Sequence, residues 1–253
     1  MWYSISNVLN PGSLEEAISQ YRTDGGKFLA GGSYLVAEAD PGVKDLIHIQ
    51  PLLDRNLVET GGNLIVGAGL TLQELIRHTS ADDTLRLAEA AKMSCFSKNI
   101  RNQRTLGGEV AWNRPDSEVN VYLRALSTSI EVISDEPKTI PISQVEKEPG
   151  IITSLRIDVH NIEDSIIKRF SLLPSAPAFL IIAAVRRTET ITFSIGGKID
   201  RRVDISFEKR PEDSELSDFA GRVGLRSDHF GSLAYKSDLL EQSLLESRNE
   251  LWQ

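Results

Sequence analysis

Two short glycine pairs flanked by hydroxyl side chains are the positions best suited to chemistry. They are Ala30-Gly31-Gly32-Ser33 and Thr105-Leu106-Gly107-Gly108-Glu109, with their first glycines 76 positions apart. Paired glycines tolerate positive φ and let backbone N–H groups crowd an anion without side-chain obstruction, which a pyrophosphate-bearing cofactor requires. Two such loops could close on one ligand. The same pattern also marks ordinary turns: Gly196-Gly197, between Ile191/Phe193/Ile195 and Val203/Ile205/Phe207, reads as a hairpin-region turn that holds no ligand.

A third glycine-rich segment, Gly67-Ala68-Gly69, follows the strand-like Leu64-Ile65-Val66 and precedes Thr71-Leu72-Gln73-Glu74. It imitates a dinucleotide fingerprint, but Leu72 replaces the third glycine, so a plain strand-to-helix turn is the better reading. Metal chemistry finds little support. The single cysteine, Cys95, excludes an internal disulfide and an iron–sulfur cluster held by this chain alone, and His48, His78, His160 and His229 lack ligand spacing. No metal site is expected.

The elements that must position these loops are those of a folded α/β-type chain. With 253 residues, 40% hydrophobic and 25% charged, the chain can build a full core in two units. Its net charge of −8 would repel nucleic acid and anionic lipid, so neither is an expected partner. The N-terminus, Met1 to Asn7, lacks the basic start and apolar stretch of a signal peptide. The longest apolar run, Ala176 to Val185, contains Pro177 and is too short to span a bilayer. A cytoplasmic location is expected.

Ser13-Leu14-Glu15-Glu16 reads as a capping box opening a helix with Leu14, Ala17, Ile18 and Tyr21 on one face, and Thr71 to Glu74 as a second box. Strands are expected at 27–29, which delivers the chain into the first glycine loop, and at 46–49 and 64–66. A helix is expected over 84–93 and another at 122–126. Val110-Ala111-Trp112, after the second loop, reads as strand-like. Strands around Ile130/Val132, Ile140/Ile142 and Ile151 to Ile157 have short connections, which implies antiparallel pairing. Beyond Ile166 come an apolar run at Phe179 to Val185, two alternating strands around Gly196-Gly197, and a closing helix at 232–252. That helix is expected to bury Leu233, Leu239, Leu240, Leu244, Leu245 and Leu251.

Ile100-Arg101-Asn102-Gln103-Arg104-Thr105-Leu106-Gly107-Gly108-Glu109 resembles the I-R-N-x-x-T-[IL]-G-G-[NE] signature of the FAD-binding subunits of molybdenum hydroxylases. Phe28 to Leu35 is similar to the same family's L-A-G-G-[TS]-x-L motif, and Val66 to Thr71 to its I-G-A-x-x-T segment. Leu225-Arg226-Ser227-Asp228 and Ala234-Tyr235-Lys236 are similar to its C-terminal module. The resemblance implies an α+β fold: two FAD subdomains of the vanillyl-alcohol-oxidase and p-cresol-methylhydroxylase type, plus a C-terminal α+β module. The change of pattern from Ile166 onward sets a domain boundary near 160–165, giving 1–162, with subdomains of about 1–55 and 56–162, and 163–253.

By position, the resemblance implies that Ala30, Gly31, Gly32 and Ser33 wrap the FAD pyrophosphate, that Thr105, Gly107 and Gly108 complete the cradle, and that Leu29 and Leu35 belong to the same cofactor site. It further sets Glu118 on the ribityl or phosphate side, and Ile152 and Arg169, or Lys168 beside it, against the isoalloxazine ring. Glu109 stands where most members carry Asn, and an ionised Glu can only accept hydrogen bonds. In that respect it resembles a bacterial, xanthine-dehydrogenase-like branch. The implied function is an electron-transfer subunit. A large partner would carry the molybdenum cofactor, a small partner [2Fe–2S] clusters, and NAD+ or another acceptor would take the electrons. A stand-alone flavin oxidoreductase, an assembly subunit that has lost FAD, and a plain nucleotide-binding module are the alternatives.

Overall fold

The computed structural model describes residues 4–81, 84–147 and 149–252; Met1 to Tyr3, the start of the N-terminal segment read above, lie outside the described residues. Strand β1 (Asn7–Leu9) leads to helix α1 (Leu14–Asp24). The Ser13 hydroxyl accepts from Glu16 N at 3.2 Å, while the Glu16 carboxylate accepts from Gly12 N at 2.7 Å. The cap therefore closes one residue earlier than the expected box. Strand β2 (Lys27–Leu29), helix α2 (Ser33–Glu38) and strand β3 (Asp45–His48) follow, and β1, β3 and β2 form a parallel sheet in that order.

Strands β4 (Leu57–Thr60) and β5 (Asn63–Gly67) pair antiparallel across Gly61 and Gly62, both at positive φ. Helix α3 (Leu72–Thr79) opens on a complete capping box: Glu74 Oε2 accepts from Thr71 N at 2.9 Å, and Glu74 N donates to Thr71 Oγ1 at 3.2 Å. Helices α4 (Leu87–Ser94), α5 (Lys98–Arg101), α6 (Leu106–Trp112) and α7 (Glu118–Ala125) come next. Here one expectation fails, because Val110 to Trp112 are helical. The Thr105 hydroxyl caps α6 by accepting from Gly108 N at 3.2 Å, and a capped turn overrides the weak strand preference of Val110 and Trp112.

Strands β6 (Ser129–Ile133), β7 (Pro137–Pro141) and β8 (Ile151–Asp158) complete a five-stranded sheet in the order β4-β5-β8-β6-β7. Within it β6 is antiparallel to both β7 and β8, as the short connections imply. Then β9 (Ile162–Phe170), β10 (Leu180–Arg187), β11 (Ile191–Gly197) and β12 (Val203–Phe207) form an antiparallel meander, followed by α8 (Asp213–Ala220) and α9 (Leu233–Leu251).

Two further expectations need correction. Gly196 and Gly197 belong to β11, and the turn to β12 lies beyond them. A side chain on Gly196 would overlap Val121, and one on Gly197 would stand 2.5 Å from the Phe179 carbonyl oxygen, so close backbone approach explains both. Helix α9 buries Lys236, Leu240, Leu244, Ser247, Arg248 and Leu251, whereas Leu233 is exposed and Leu239 and Leu245 only flank the core. At 3.6 residues per turn, positions 240, 244 and 251 share a stripe that 239 and 245 miss; Leu233 lies on that stripe but is the first residue of the helix, where it stays exposed. Each buried leucine contributes on the order of 1.5–3 kcal/mol.

The chain divides into two compact units. The first comprises residues 1–75, 97–113 and 129–157 and holds the parallel and five-stranded sheets. A core of Ala17, Ile18, Ile47, Ile49, Leu53 and Ile151 lies within it. The second comprises 76–96, 114–128 and 158–253, where α8 and α9 pack on the meander through residues such as Ile182, Phe193, Phe219 and Leu244.

Candidate cofactor site

In the first unit, β2 carries the chain into the first glycine loop, anchored where Ile49 N donates to Leu29 O at 2.9 Å. Gly32, at φ +67, is the N-cap of α2 and supplies no side-chain cap. Among the described residues, the amides of Gly31, Gly32 and Ser33 donate to no acceptor. Consecutive N–H groups left open in this way form an anion-binding concavity. The second loop lies against the first, since a Cβ on Gly31 would overlap the Gln103 carbonyl oxygen and stand 3.2 Å from Thr105 N.

The second loop is built differently. An antiparallel bridge joins Thr105 to Thr71, Leu72 N donates to Arg104 O at 2.9 Å, and Leu106 N donates to Leu70 O at 2.8 Å. Gly107 N is taken up by Ala68 O at 2.9 Å and Gly108 N by the Thr105 hydroxyl. Gly107 serves close packing, because a Cβ there would stand 2.6 Å from that of Ala68.

Between the loops is a cavity of about 270 Å³. Ala30, Gly31, Gly32, Ser33 and Leu35 line it from the first loop, Thr105, Gly107 and Gly108 from the second, and Ile152 from β8. Leu29 lies beneath this wall, with its side chain against Gly32. Phe28, Tyr34, Arg104 and Trp112 also line the cavity, although the sequence reading did not single them out. The available signal was adjacency, since Tyr34 and Arg104 each border a motif residue.

Arg104 is the centre of a charged network. Its side chain is 12% exposed, its Nε donates to Ser33 Oγ at 3.1 Å and its Nη1 to the Tyr34 hydroxyl at 3.0 Å. The guanidinium lies 4.1 Å from the centre of the Tyr34 ring, which stacks on Trp112 at 5.3 Å. Glu109, 1% exposed, accepts from the Tyr34 hydroxyl on both oxygens at 3.0 and 2.9 Å and lies 3.5 Å from Arg104 Nη1. The carboxylate that departs from the family pattern is thus neutralised within the chain.

Glu118 and Arg169 belong to the second unit, where they bind each other: Arg169 Nε donates to Glu118 Oε1 at 2.5 Å. The same guanidinium also donates to Ser171 Oγ and Ala176 O. Burial pushes the Glu118 carboxyl above its ordinary range despite the opposing effect of Arg169. Among the described residues, no group of three His, Cys, Asp or Glu side chains is arranged to hold a metal, and no helix is long and apolar enough to cross a membrane.

Residues 4–158, more than half of the chain, match the family described as FAD binding domain in molybdopterin dehydrogenase. The chain belongs to this family. As a member, it carries an FAD-binding domain, and its fold recurs in solved structures. A chain of the carbon monoxide dehydrogenase from Hydrogenophaga pseudoflava aligns with a TM-score of 0.82 at 19% identity, covering 98% of this chain and 97% of that one. A chain of quinoline 2-oxidoreductase from Pseudomonas putida 86 aligns with a TM-score of 0.80 at 16% identity, covering 98% of each. A chain of reconstituted CO dehydrogenase from Oligotropha carboxidovorans aligns with a TM-score of 0.80 at 16% identity, covering 96% of each. No curated protein matches the sequence significantly.

Proposed function

We propose that this chain is the FAD-holding electron-transfer subunit of a multi-subunit molybdenum hydroxylase of xanthine-dehydrogenase-like organisation. A large partner would carry the molybdenum cofactor, a small partner [2Fe–2S] clusters, and NAD+ would be the final acceptor. The observation that carries the reading is the meeting of the two motif loops around one cavity, with Gly31 seated on the backbone of Gln103 and Thr105. The family match and the near full-length likeness to chains of carbon monoxide and quinoline enzymes support it.

The residues present fit the cofactor. The open amides of Gly31, Gly32 and Ser33 would hold the diphosphate, and Ile152 would offer an apolar wall to the flavin ring. When bound, FAD supplies a carrier that takes up electrons and passes them on singly or in pairs. Thr105 and Gly107 fix the second loop, which closes the cavity on that side. Internal pairing of Glu109 with Tyr34 and Arg104 removes the reason to expect that this carboxylate repels the cofactor.

Titration of the purified full-length chain with FAD tests this: one equivalent should bind and quench the flavin's fluorescence. Absence of binding would overturn the cofactor assignment. Affinity purification from native extract should recover a molybdenum-bearing and an iron–sulfur-bearing chain, and NADH should reduce the flavin of that complex. An intact complex that NADH does not reduce would remove NAD+ as the acceptor.

A further inference from the structure

We propose that Arg104 is a selectivity residue for the diphosphate of the bound dinucleotide, held in place by the buried Glu109 acting through Tyr34. The inference deepens the FAD reading and rests on it for the identity of the ligand. Backbone amides alone offer partial charges to an anion, whereas a diphosphate ester carries full negative charge. Arg104 and Lys27 are the cationic residues of the cavity wall. Lys27 is exposed and water screens it, but the Arg104 side chain is 12% exposed, where a charge acts more strongly.

The arrangement sets this charge beside the open amides. Arg104 Nε donates to Ser33 Oγ, so the serine uses a lone pair and keeps its own O–H proton for another acceptor. Nη1 donates to the Tyr34 hydroxyl, whose proton is in turn committed to Glu109. Stacking of Tyr34 on Trp112 fixes the ring over which the guanidinium lies. Glu109 is therefore a positioning residue: it touches Tyr34 and Arg104 and does not line the cavity. This gives the unusual carboxylate a purpose, as the anchor of the arginine that accompanies it.

Binding of FAD, ADP and riboflavin to the full-length chain tests the proposal, because riboflavin shares the ring and lacks phosphate. Arg104→Ala should weaken FAD and ADP by about tenfold or more and riboflavin by less than about twofold, the loss expected for a hydrogen bond to a charged group. Lys27→Ala should change FAD binding by less than about threefold. Glu109→Gln, which keeps an acceptor for Tyr34 but drops the charge, should weaken FAD and ADP by about threefold and leave riboflavin unchanged. If Arg104→Ala does not fold, Arg104→Lys, which keeps the stem and loses the fork, carries the comparison.

Unchanged or tighter FAD binding in the folded Arg104 variant, or equal losses for FAD and riboflavin, would overturn the proposal while FAD binding by the parent stands. A parent that binds ADP through Arg104 but not FAD would overturn the flavin reading and keep this one. A parent that binds neither overturns both.

Discussion

The two glycine pairs look alike in sequence and do opposite work. At Gly31-Gly32 the amides have no acceptor among the described residues and face a cavity; at Gly107-Gly108 they are taken up by Ala68 O and the Thr105 hydroxyl. The first pair can offer hydrogen bonds to a ligand, while the second brings α6 against Ala68 and so builds the wall that the first faces. What distinguishes them is the destination of their N–H groups, which a glycine motif does not encode.

The largest effect should come from Gly31→Ala. Its Cβ would overlap the Gln103 carbonyl oxygen, a backbone atom that can yield only if the two loops separate. A stability loss of about 3 kcal/mol or more is expected by chemical denaturation, together with loss of measurable FAD binding. Retained affinity would show that the loops do not share one ligand. Gly107→Ala should cost less, about 1–3 kcal/mol, because its nearest obstacle is the Ala68 methyl group at 2.6 Å. Ala68→Gly in the same chain should restore part of that loss. No restoration would mean that Gly107 matters for something other than this contact.

How much could be read in advance follows the same division. Local signals were legible: Thr71 and Glu74 form the expected box, and β6 pairs antiparallel with β7 and β8. Where two local signals competed, as at Val110 to Trp112, the cap at Thr105 decided, and strand preference gave the wrong element. The network around Arg104 was not legible, because Tyr34 and Glu109 are 75 positions apart and meet only through the fold. Glu109 could be recognised as unusual, but its partners could not be named. Along α9 the count of leucines hid a mixed stripe in which Lys236 is buried and donates to Asp228 at 2.6 Å.

A pair of hydroxyl deletions sharpens the contrast between the loops. Thr105→Val removes the cap of α6 and leaves Gly108 N without its acceptor, so stability should fall by about 1 kcal/mol. FAD affinity per folded molecule should change little. Ser33→Ala should show a different balance: Gly32 and not Ser33 caps α2, so stability should fall only by the lost hydrogen bond from Arg104 Nε, about 0.5–1 kcal/mol, while FAD affinity should fall about three- to tenfold. Thermal scans and flavin titrations on both variants should therefore show comparable losses of stability and a loss of affinity confined to Ser33→Ala. If Thr105→Val lost affinity without losing stability, the second loop would be a ligand donor after all.

The smallest effect, and the one that isolates the scaffold behind the second loop, is acid dependence at Glu74. Burial opposes ionisation of this carboxyl, but hydrogen bonds from the Thr71 amide and hydroxyl and from Arg55, with the Arg55 charge, outweigh it and hold its pKa below the ordinary carboxylate range. A carboxyl whose folded pKa is depressed contributes stability above its unfolded pKa and loses it as pH falls through the folded value. Glu74→Gln should accordingly be less stable than the parent near neutral pH, and the gap should narrow between about pH 5 and pH 3. Denaturation curves across that range measure it. Thr71 bridges to Thr105, so the variant should weaken the support of the second loop and leave the open amides of the first untouched. FAD affinity at neutral pH should then match the parent's; a drop would mean that the two loops are coupled more tightly than their separate hydrogen bonding implies.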